Sequence, residues 1–398
     1  MEFHRSSSSS NHPQSRLTSL SSQRSLASVP SLNSRSQHHA STYHQCLATL
    51  KGHTSYISCI ALAGKFLYTG SSDREIRSWN HASLHSEIFD TEQSNSITNV
   101  VTAGKGAVKS LIVQSDKLFS AHQDYKIRVW KISSYEPDHQ KYTRLATLPT
   151  FGDRATKVLN PKNHVQIRRH KKCTWIHHVD TVSALALSRD ETLLYSVSWD
   201  RSVKVWRTSD FTCLESVNNA HDDAINAMAV SDDGYVYTGS ADKKIKVWKK
   251  GEGEKKHCLV DTLEKHNSGI NALALSSDGS LLYSGACDRS ILVWEKDEEE
   301  EDGKMTLVGA LRGHTESILC LAMVSDLVFS GSADKTIRIW RGVHDDYSCL
   351  AVLEGHRGPV KCLTAAVDPS GQSEESFLVY SGSLDCDIKV WQIIVPVL

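Results

Sequence analysis

The stretch Leu327–Trp340, LVFSGSADKTIRIW, decides the fold of this chain. An apolar segment, a tight turn around Asp334 and an alternating segment that ends in Trp340 predict a β-hairpin. The same pattern recurs six more times, always with Ser or Thr four residues before an Asp and Trp six residues after it. The seven triples are Thr69/Asp73/Trp79, Ser120/Asp124/Trp130, Ser196/Asp200/Trp206, Thr238/Asp242/Trp248, Ser284/Asp288/Trp294, Ser330/Asp334/Trp340 and Ser381/Asp385/Trp391. Recurrence at three fixed positions indicates a repeat protein.

Bulk composition restricts the class of protein. The chain has 398 residues, which exceeds a typical domain, but a closed array of repeats can form one large domain. The formal net charge is −1, so no overall field favours nucleic acid or a membrane surface. No apolar run approaches the roughly 20 residues that a membrane helix requires. We therefore expect no membrane association.

The first 42 residues differ in composition from the rest. Fourteen of the first forty residues are Ser, and Glu2 is the only acid among them. Such a segment cannot bury enough apolar surface to offset its ordering entropy, so residues 1–42 are predicted to be a disordered Ser/Arg-rich tail. Two alternatives remain open. The Arg-x-x-Ser spacing at residues 5–8 and 16–19 suits basophilic kinases, and the acid-poor composition suits a transit peptide.

A spare strand precedes the first repeat. Residues 44–50, HQCLATL, look like the segment that precedes later repeats, such as 349–353, CLAVL. The sequence ends just after the segment that carries Trp391, so the last repeat lacks an outer strand. We therefore expect the N-terminal strand to pair with the last repeat and close a ring, which removes an exposed sheet edge.

Glycine–histidine pairs complete the pattern. Gly52-His53, Gly313-His314 and Gly355-His356 precede their Asp and Trp partners at the spacing of WD40 repeats, and the chain resembles that family from about residue 44 to 394. The resemblance implies an all-β, seven-bladed propeller over residues 43–398. The Ser-rich leader, a long insert and the stretch from 160-NPKN-163 to 168-RRH-170 also resemble the plant Jingubang-like WD40 proteins.

The resemblance implies a structural role for the repeated His, Ser/Thr, Asp and Trp side chains. Such residues can form a hydrogen-bonded chain, because Asp accepts, the hydroxyl both donates and accepts, and the indole only donates. The expected histidines are His53, His178, His221, His266, His314 and His356. The tryptophans of the same sets are Trp79, Trp206, Trp248, Trp294, Trp340 and Trp391.

Repeat two departs from this pattern. Gly104 stands where the His should be, so we predict an incomplete set and a locally looser blade. Many copies of one arrangement argue against catalytic triads, and no nucleotide-binding, hydrolase or metal motif is present. We expect no enzyme activity, cofactor or metal.

An insert over residues 149–176 separates repeats two and three, where the Trp-to-Trp spacing rises to 76 residues. Its basic residues include Arg168, Arg169, Lys171 and Lys172, with Asp153 as the single acid. Three interpretations stay open: a solvated loop, a docking patch for an acidic or phosphorylated partner, and a nucleic-acid or nuclear-import segment. The sequence does not determine whether the insert is ordered.

The repeat register also predicts which side chains face one rim of the ring. The residue before each turn Asp should lie there, together with the residues three and five positions after each His. Trp199 stands out, because Trp is enriched in binding hot spots. We predict a partner site that includes Tyr56, Lys109, Gln123 and Trp199 with the basic insert. The alternative is that the insert covers and buries Trp199.

These features predict a monomeric, non-catalytic protein-interaction scaffold. The narrower resemblance implies a plant regulator of development or signalling, in the cytoplasm or nucleus, with partners such as transcriptional regulators. One alternative is a substrate receptor of a ubiquitin ligase, although no repeat-end Trp is followed by the Asp-x-Arg that such receptors usually carry. Another is a nucleic-acid-associated regulator acting through the basic insert. No small-molecule substrate is expected.

Overall fold

The structure is a computed structural model. It describes residues 29–33, 42–80, 98–134, 140–158, 164–168, 171–251, 253–254, 256–297, 303–343, 346–368 and 375–396. Side chains between residues 157 and 173 also lie outside this description.

The chain folds into a seven-bladed β-propeller, and each blade is a four-stranded antiparallel sheet whose first strand is innermost. Blade one contains β2 (Ile57–Ala63), β3 (Phe66–Ser71), β4 (Glu75–Asn80) and β5 (Thr98–Ala103). Blade two contains β6 (Val108–Gln114), β7 (Lys117–His122), β8 (Ile127–Ser134) and β9 (Gln140–Leu148). Blade three contains β12 (Val182–Leu187), β13 (Leu193–Ser198), β14 (Val203–Arg207) and β15 (Cys213–Val217). Blade four contains β16 (Ile225–Val230), β17 (Val236–Ser240), β18 (Ile245–Lys249) and β19 (Cys258–Leu263). Blade five contains β20 (Ile270–Leu275), β21 (Leu281–Ala286), β22 (Ser290–Lys296) and β23 (Met305–Arg312). Blade six contains β24 (Ile318–Val324), β25 (Leu327–Ser332), β26 (Ile337–Val343) and β27 (Asp346–Leu353). This arrangement confirms the all-β propeller expected from the repeats.

Blade seven closes the ring with strands from both ends of the described chain. It contains β28 (Val360–Val367), β29 (Ser376–Ser383), β30 (Ile388–Ile394) and the N-terminal β1 (Tyr43–Leu50). Strand β1 pairs antiparallel with β30, with Leu50 opposite Ile388. The predicted closure by an N-terminal strand is confirmed, and it gives the outer edge of β30 a hydrogen-bonding partner.

The hydrophobic core lies between the blades. Among the described residues, seven clusters of buried side chains each span one pair of adjacent blades. Strand β25, in the stretch that decides the fold, is buried along its whole length because it has neighbours on both faces. A blade therefore cannot bury its apolar faces alone, which is why the fold needs a closed ring of repeats.

The turns that carry the repeated Asp residues share one conformation. The residue after each of these Asp residues has a φ of +69° to +74°, although none of the seven is Gly. In blade six, Asp334 Oδ1 accepts the backbone N–H of Thr336 at 3.0 Å, and this bond holds the turn in the left-handed conformation. We call the side of the ring that carries these seven turns the turn face.

The predicted disorder of the whole tail is wrong for residues 29–33. These residues lie against the outer strands of blades five and six, where Val29 and Leu32 are buried. Residues 1–28 and 34–41 lie outside the described residues. Apolar side chains placed three apart can dock on a folded surface even within a Ser-rich segment, and composition alone does not reveal such a contact.

The insert between blades two and three contains regular structure. Helix α1 (Phe151–Val158) is followed by a hairpin of β10 (His164–Arg168) and β11 (Lys171–Thr174). Asp153 is buried, and its Oδ2 accepts the backbone N–H of Cys213 at 3.0 Å. The single acid of the insert therefore ties α1 to β15, the outer strand of blade three.

Candidate partner-binding site

Six blades contain a hydrogen-bonded chain from the Trp indole to the turn carboxylate. In blade six, Trp340 Nε1–H donates to Ser330 Oγ at 2.8 Å. Ser330 Oγ and His314 Nε2 are 2.8 Å apart, as are His314 Nδ1 and Asp334 Oδ2. Because the indole can only donate, the hydroxyl gives its own proton to Nε2, which leaves the proton on Nδ1 for the carboxylate. A neutral histidine therefore satisfies every bond in the chain.

The predicted histidines of the other regular blades occupy the same position. Their Nδ1–carboxylate distances are 2.8 to 3.1 Å, and their Nε2–hydroxyl distances are 2.8 to 2.9 Å. The sets are His53/Thr69/Asp73/Trp79, His178/Ser196/Asp200/Trp206, His221/Thr238/Asp242/Trp248, His266/Ser284/Asp288/Trp294 and His356/Ser381/Asp385/Trp391.

The tryptophans of these six sets are core residues and not accessible site residues. Each has at most 7% of its surface exposed, and each belongs to a different buried cluster between two blades. The six are Trp79, Trp206, Trp248, Trp294, Trp340 and Trp391. The neighbouring blade covers each ring, so these side chains pack and donate one hydrogen bond instead of contacting a partner.

The electrostatics of these chains suit a structural role. Burial raises the pKa of Asp73, but the His53 hydrogen bond and backbone N–H donors outweigh it, and the pKa falls to about 2. The pKa of Asp242 also falls to about 2, through His221 and backbone donors acting against burial. Burial lowers the pKa of His178 and His356. These shifts favour ionised carboxylates and neutral histidines, which agrees with the hydrogen-bond directions in blade six.

Blade two fills the place of the missing histidine with His122, which bonds the hydroxyl but not the turn carboxylate. His122, two residues after Ser120 on β7, lies with its Nε2 at 2.9 Å from Ser120 Oγ, which also accepts Trp130 Nε1–H at 3.0 Å. His122 Nδ1 faces the carbonyl oxygen of Gly106 at 3.1 Å. The looser packing expected for this blade stays a prediction.

Asp124 of blade two binds a different partner. Its carboxylate accepts two bonds from the guanidinium of Arg128, at 3.0 and 2.5 Å. Burial and the nearby Arg128 charge lower the pKa of His122. The sequence pattern did not indicate His122, because the pattern places the histidine before the inner strand of a blade and His122 lies on the second strand.

One cluster of donors has the composition of a metal site. Ligand atoms of His53, Asp73 and Glu75 lie within 4.8 Å of one another. His53 and Asp73 bind each other, and Glu75 Oε2 accepts both Nε–H and Nη2–H of Arg77, at 3.1 and 2.9 Å. These partners give each member of the cluster a role in the blade itself.

Three of the predicted rim residues meet on the turn face. The ammonium of Lys109 lies 5.6 Å from the ring centre of Tyr56 and 5.6 Å from that of Trp199, and its Nζ–H donates to the Tyr56 hydroxyl at 3.2 Å. These distances fall within the range of cation–π contacts. The three residues come from blades one, two and three, so the contact depends on the ring.

The backbone of Trp199 is fixed by a hydrogen bond, whereas its side chain is exposed. Its N–H donates to the carbonyl of Thr181 at 3.0 Å, while 41% of the residue remains exposed. Gln123, at the same turn position of blade two, is exposed and donates its N–H to Ala107 at 2.8 Å. The alternative in which the insert buries Trp199 is not what the structure shows.

Positive charge surrounds Tyr56. Burial raises its pKa, but a hydrogen bond with Ser72 and the charges of Lys109 and Lys361 outweigh that effect and lower it. Lys361 is on β28 of blade seven. We define the rim cluster as Lys361, Tyr56, Lys109 and Trp199, which come from four consecutive blades. Among the described residues, neither lysine forms an ion pair.

Several other positions predicted to face the rim instead join neighbouring blades. Ser183 Oγ donates to the carbonyl of Ile225 at 2.5 Å, Asn226 Nδ2 to that of Ile270 at 2.9 Å, and Asn271 Nδ2 to that of Ile318 at 2.8 Å. They occupy the same register as Lys109 and Lys361. Short polar side chains reach the adjacent strand, whereas lysine extends past it toward the rim.

The basic part of the insert is only partly described. Arg168 pairs with Lys171, and Lys172 pairs with Gln166, in the backbone register of the β10–β11 hairpin. Arg169 lies outside the described residues, as do the side chains of Arg168, Lys171 and Lys172. Their predicted union with Trp199 in one site therefore stays a prediction.

Sequence comparison assigns the repeats to a family. The profile of the WD domain, G-beta repeat, matches residues 44–80, 170–207, 211–249, 257–295, 305–341 and 347–392, which together exceed half of the chain. The chain belongs to the WD40 repeat family. The matched ranges omit the second WD40 blade, whose histidine comes from an unusual position. Among the described residues, no helix is long and apolar enough to cross a membrane.

Individual WD40 relatives resemble parts of the chain. Ribosome biogenesis protein YTM1 of Eremothecium gossypii is 24% identical over 182 residues, which are 43% of this chain and 40% of that protein. Small ribosomal subunit protein RACK1 of Drosophila melanogaster is 33% identical over 102 residues, 25% of this chain and 30% of that protein. Kinesin-like protein KIF21B of Homo sapiens is 25% identical over 242 residues, 58% of this chain and 13% of that protein. The matches span well under two thirds of each relative.

Proposed function

We propose that this protein is a non-catalytic interaction scaffold that binds protein partners at the rim cluster of its turn face. Propellers of the WD40 family generally serve as such scaffolds. Fold alone does not decide function, so the proposal depends on a specific surface. The observation that carries it is the exposed Trp199 ring beside a lysine that two aromatic rings from different blades hold in place.

The chemistry of the rim cluster favours an anionic side chain on the partner. Lys109 and Lys361 supply positive charge, and Tyr56 and Trp199 supply apolar surface beside it. The contacts of Lys109 limit its movement before binding, so less side-chain entropy is lost on association. Both positive charges attract a carboxylate or a phosphate on the partner, and the Lys109 ammonium can donate a hydrogen bond to it.

One finer hypothesis accompanies this proposal. The Jingubang-like resemblance suggests a monomeric plant regulator of development or signalling, with partners such as transcriptional regulators in the cytoplasm or nucleus. The relatives reported above are fungal, insect and human, so support for that hypothesis comes from the residues of the leader and the insert. No observation favours the ubiquitin-ligase or nucleic-acid alternatives over a protein scaffold.

The test is a quantitative pull-down from native extract with the full chain as bait. Trp199→Ala and Lys109→Ser should each reduce recovery of the same proteins by about tenfold, which corresponds to roughly 1.4 kcal/mol. Recovery by the unaltered protein should also fall as salt rises, because exposed charges are screened.

Matched controls remove comparable exposed groups elsewhere. Tyr43→Ala removes an exposed aromatic ring on β1, and Lys250→Ser removes an exposed lysine after β18. Both should retain every partner, and all variants should melt as the unaltered protein does. If both rim variants keep all partners, the rim cluster is not the binding site.

A further inference from the structure

The segment Val29–Asn33, VPSLN, lies in a groove between the outer strands of blades five and six. We call it the strap. Its backbone follows β23 in parallel: the N–H of Leu32 donates to the carbonyl of Ala310 at 3.0 Å, and the N–H of Ala310 donates to that of Pro30 at 3.0 Å. The N–H of Tyr347, on β27, donates to the carbonyl of Leu32 at 2.9 Å. The strap therefore bridges two blades through main-chain bonds, as an added peptide strand does.

Polar groups fix the ends of the strap. The side-chain amide of Asn33 binds both backbone groups of Arg312: Oδ1 accepts its N–H at 2.9 Å, and Nδ2 donates to its carbonyl. Arg312 Nη2 donates to the carbonyl of Val29 at 2.7 Å. One residue of β23 thus contacts both ends of the five-residue segment, which sets its length and direction.

Two apolar side chains anchor the strap. Val29 belongs to the buried cluster of blades four and five, and Leu32 to that of blades five and six. Leu32 lies directly on Gly309, where an added Cβ would stand 2.6 Å from Leu32 Cγ. The groove therefore accepts leucine at this position because β23 has no side chain there.

The groove is complete without the strap. Each of the seven blades already has four strands, and residues 29–33 form only isolated bridges with them. A cleft beside the strap extends the groove. Its lining includes Tyr283, Val308 and Tyr347, which also belong to the Leu32 cluster, and the acidic Glu295. The surface that holds the strap thus continues past it.

We propose that this groove is a peptide-binding site for an extended partner segment with the pattern apolar–Pro–x–Leu–Asn, and that the strap occupies it in cis. The strap shows what the groove recognises: a leucine over Gly309, an apolar residue three positions before it, and an asparagine after it. Because the strap is tethered, it competes at a high effective concentration. A partner segment binds when it displaces the strap, so the tail limits access to this second surface.

The test uses the full chain with Val29→Asp and Leu32→Asp, which vacate the groove, and a labelled synthetic peptide of residues 27–35. Fluorescence anisotropy should show binding to this variant at least about tenfold tighter than to the unaltered protein, because the cis competitor has been removed. A peptide carrying Leu32→Asp is the matched control and should not bind. Adding Gly309→Val to the vacated chain should abolish binding of the native peptide.

Thermal melts should first show that the variants fold, and Leu32→Ala provides a milder vacated chain if the double variant does not. The proposal is wrong if the native peptide fails to bind the folded vacated chain, or binds it no tighter than the unaltered protein. Equal binding of the control peptide would also overturn it. If the unaltered protein is a dimer that dissociates on vacating the groove, the occupant is the strap of a second copy, and the proposal of a separate partner is wrong.

Discussion

Blade two and blade six form the same hydrogen-bonded chain with histidines from different strands. In blade six, His314 lies before the innermost strand and donates to the carboxylate of Asp334. In blade two, His122 lies on the second strand and faces a backbone carbonyl, while Asp124 binds Arg128. Both chains run from indole to hydroxyl to imidazole, so this part of the arrangement does not depend on where the histidine enters.

The difference shows which part of the arrangement tolerates change. The indole, hydroxyl and imidazole are buried together, and each requires a partner because an unpaired buried polar group is costly. The far end of the chain needs only an acceptor for Nδ1–H, which a carboxylate or a carbonyl can supply. In blade two the carboxylate is consequently available to pair with arginine.

The largest expected loss of stability follows removal of the tryptophan indole, which both blades have in their hydrogen-bonded chains. Trp340→Ala should destabilise the protein by about 3–5 kcal/mol, because it removes a fully buried ring and leaves Ser330 without its donor. Trp130→Ala in blade two should cost less, since 8% of that residue is already exposed. Urea unfolding followed by fluorescence and circular dichroism measures both. Equal midpoints for Trp340→Ala and the unaltered protein would contradict the role assigned to the indole.

Removal of the turn carboxylate should change the free energy of unfolding by different amounts in the two blades. Asp334→Ala leaves His314 Nδ1–H and the N–H groups of Thr315 and Thr336 without their acceptor, so we expect a loss of about 1–3 kcal/mol. The blade-two counterpart is Asp124→Ala combined with Arg128→Met, which removes the whole ion pair. It should cost less than about 1 kcal/mol, because replacing such a pair by apolar groups is often nearly neutral. A larger loss from the double variant than from Asp334→Ala would reverse the comparison.

The smallest expected effect is on the pH dependence of stability. The folded pKa of Asp73 is about 2, below the ordinary value of 3.8, so the unfolded chain binds its proton first as pH falls. This contribution is fully present above pH 3.8 and is lost as pH drops toward 2. Asp73→Asn should flatten the stability curve in that window.

Protonation of His122 should also lower the stability of the fold as pH falls, but at a higher pH than protonation of Asp73 does. Its folded pKa lies below the ordinary 6.5, so the unfolded chain takes up a proton first, and stability falls as pH drops below 6.5. His122→Gln keeps a donor and an acceptor but cannot titrate, and it should reduce the decline below pH 6.5. Melting temperatures measured across both windows test the pair, and identical curves for the two variants would contradict the assignment.

Much of the fold was predictable because the information is local. Each hairpin carries its own apolar strand, turn Asp and terminal Trp, and the spare strand at residues 44–50 predicted the closure that β1 and β30 form. The site was less predictable. The register placed Tyr56, Lys109 and Trp199 on one rim, but it placed Ser183, Asn226 and Asn271 there as well, and these side chains join neighbouring blades. The position of a residue in the repeat determines the direction of its side chain. The length of that side chain and the position of the next blade determine which residues it contacts.

By itself, the sequence determined seven repeats and the positions of their turns, because hydrophobic periodicity and turn chemistry act within about forty residues. It also indicated the closure of the ring, because residues 44–50 resemble an outer strand that no repeat of their own requires. Only the tertiary structure decided that His122 completes blade two, that Lys109 lies between Tyr56 and Trp199, and that residues 29–33 dock on blades five and six. Each of these contacts joins strands or segments whose relative positions depend on the packing of the whole ring. No local pattern specifies them, because their partners become neighbours only when the propeller closes.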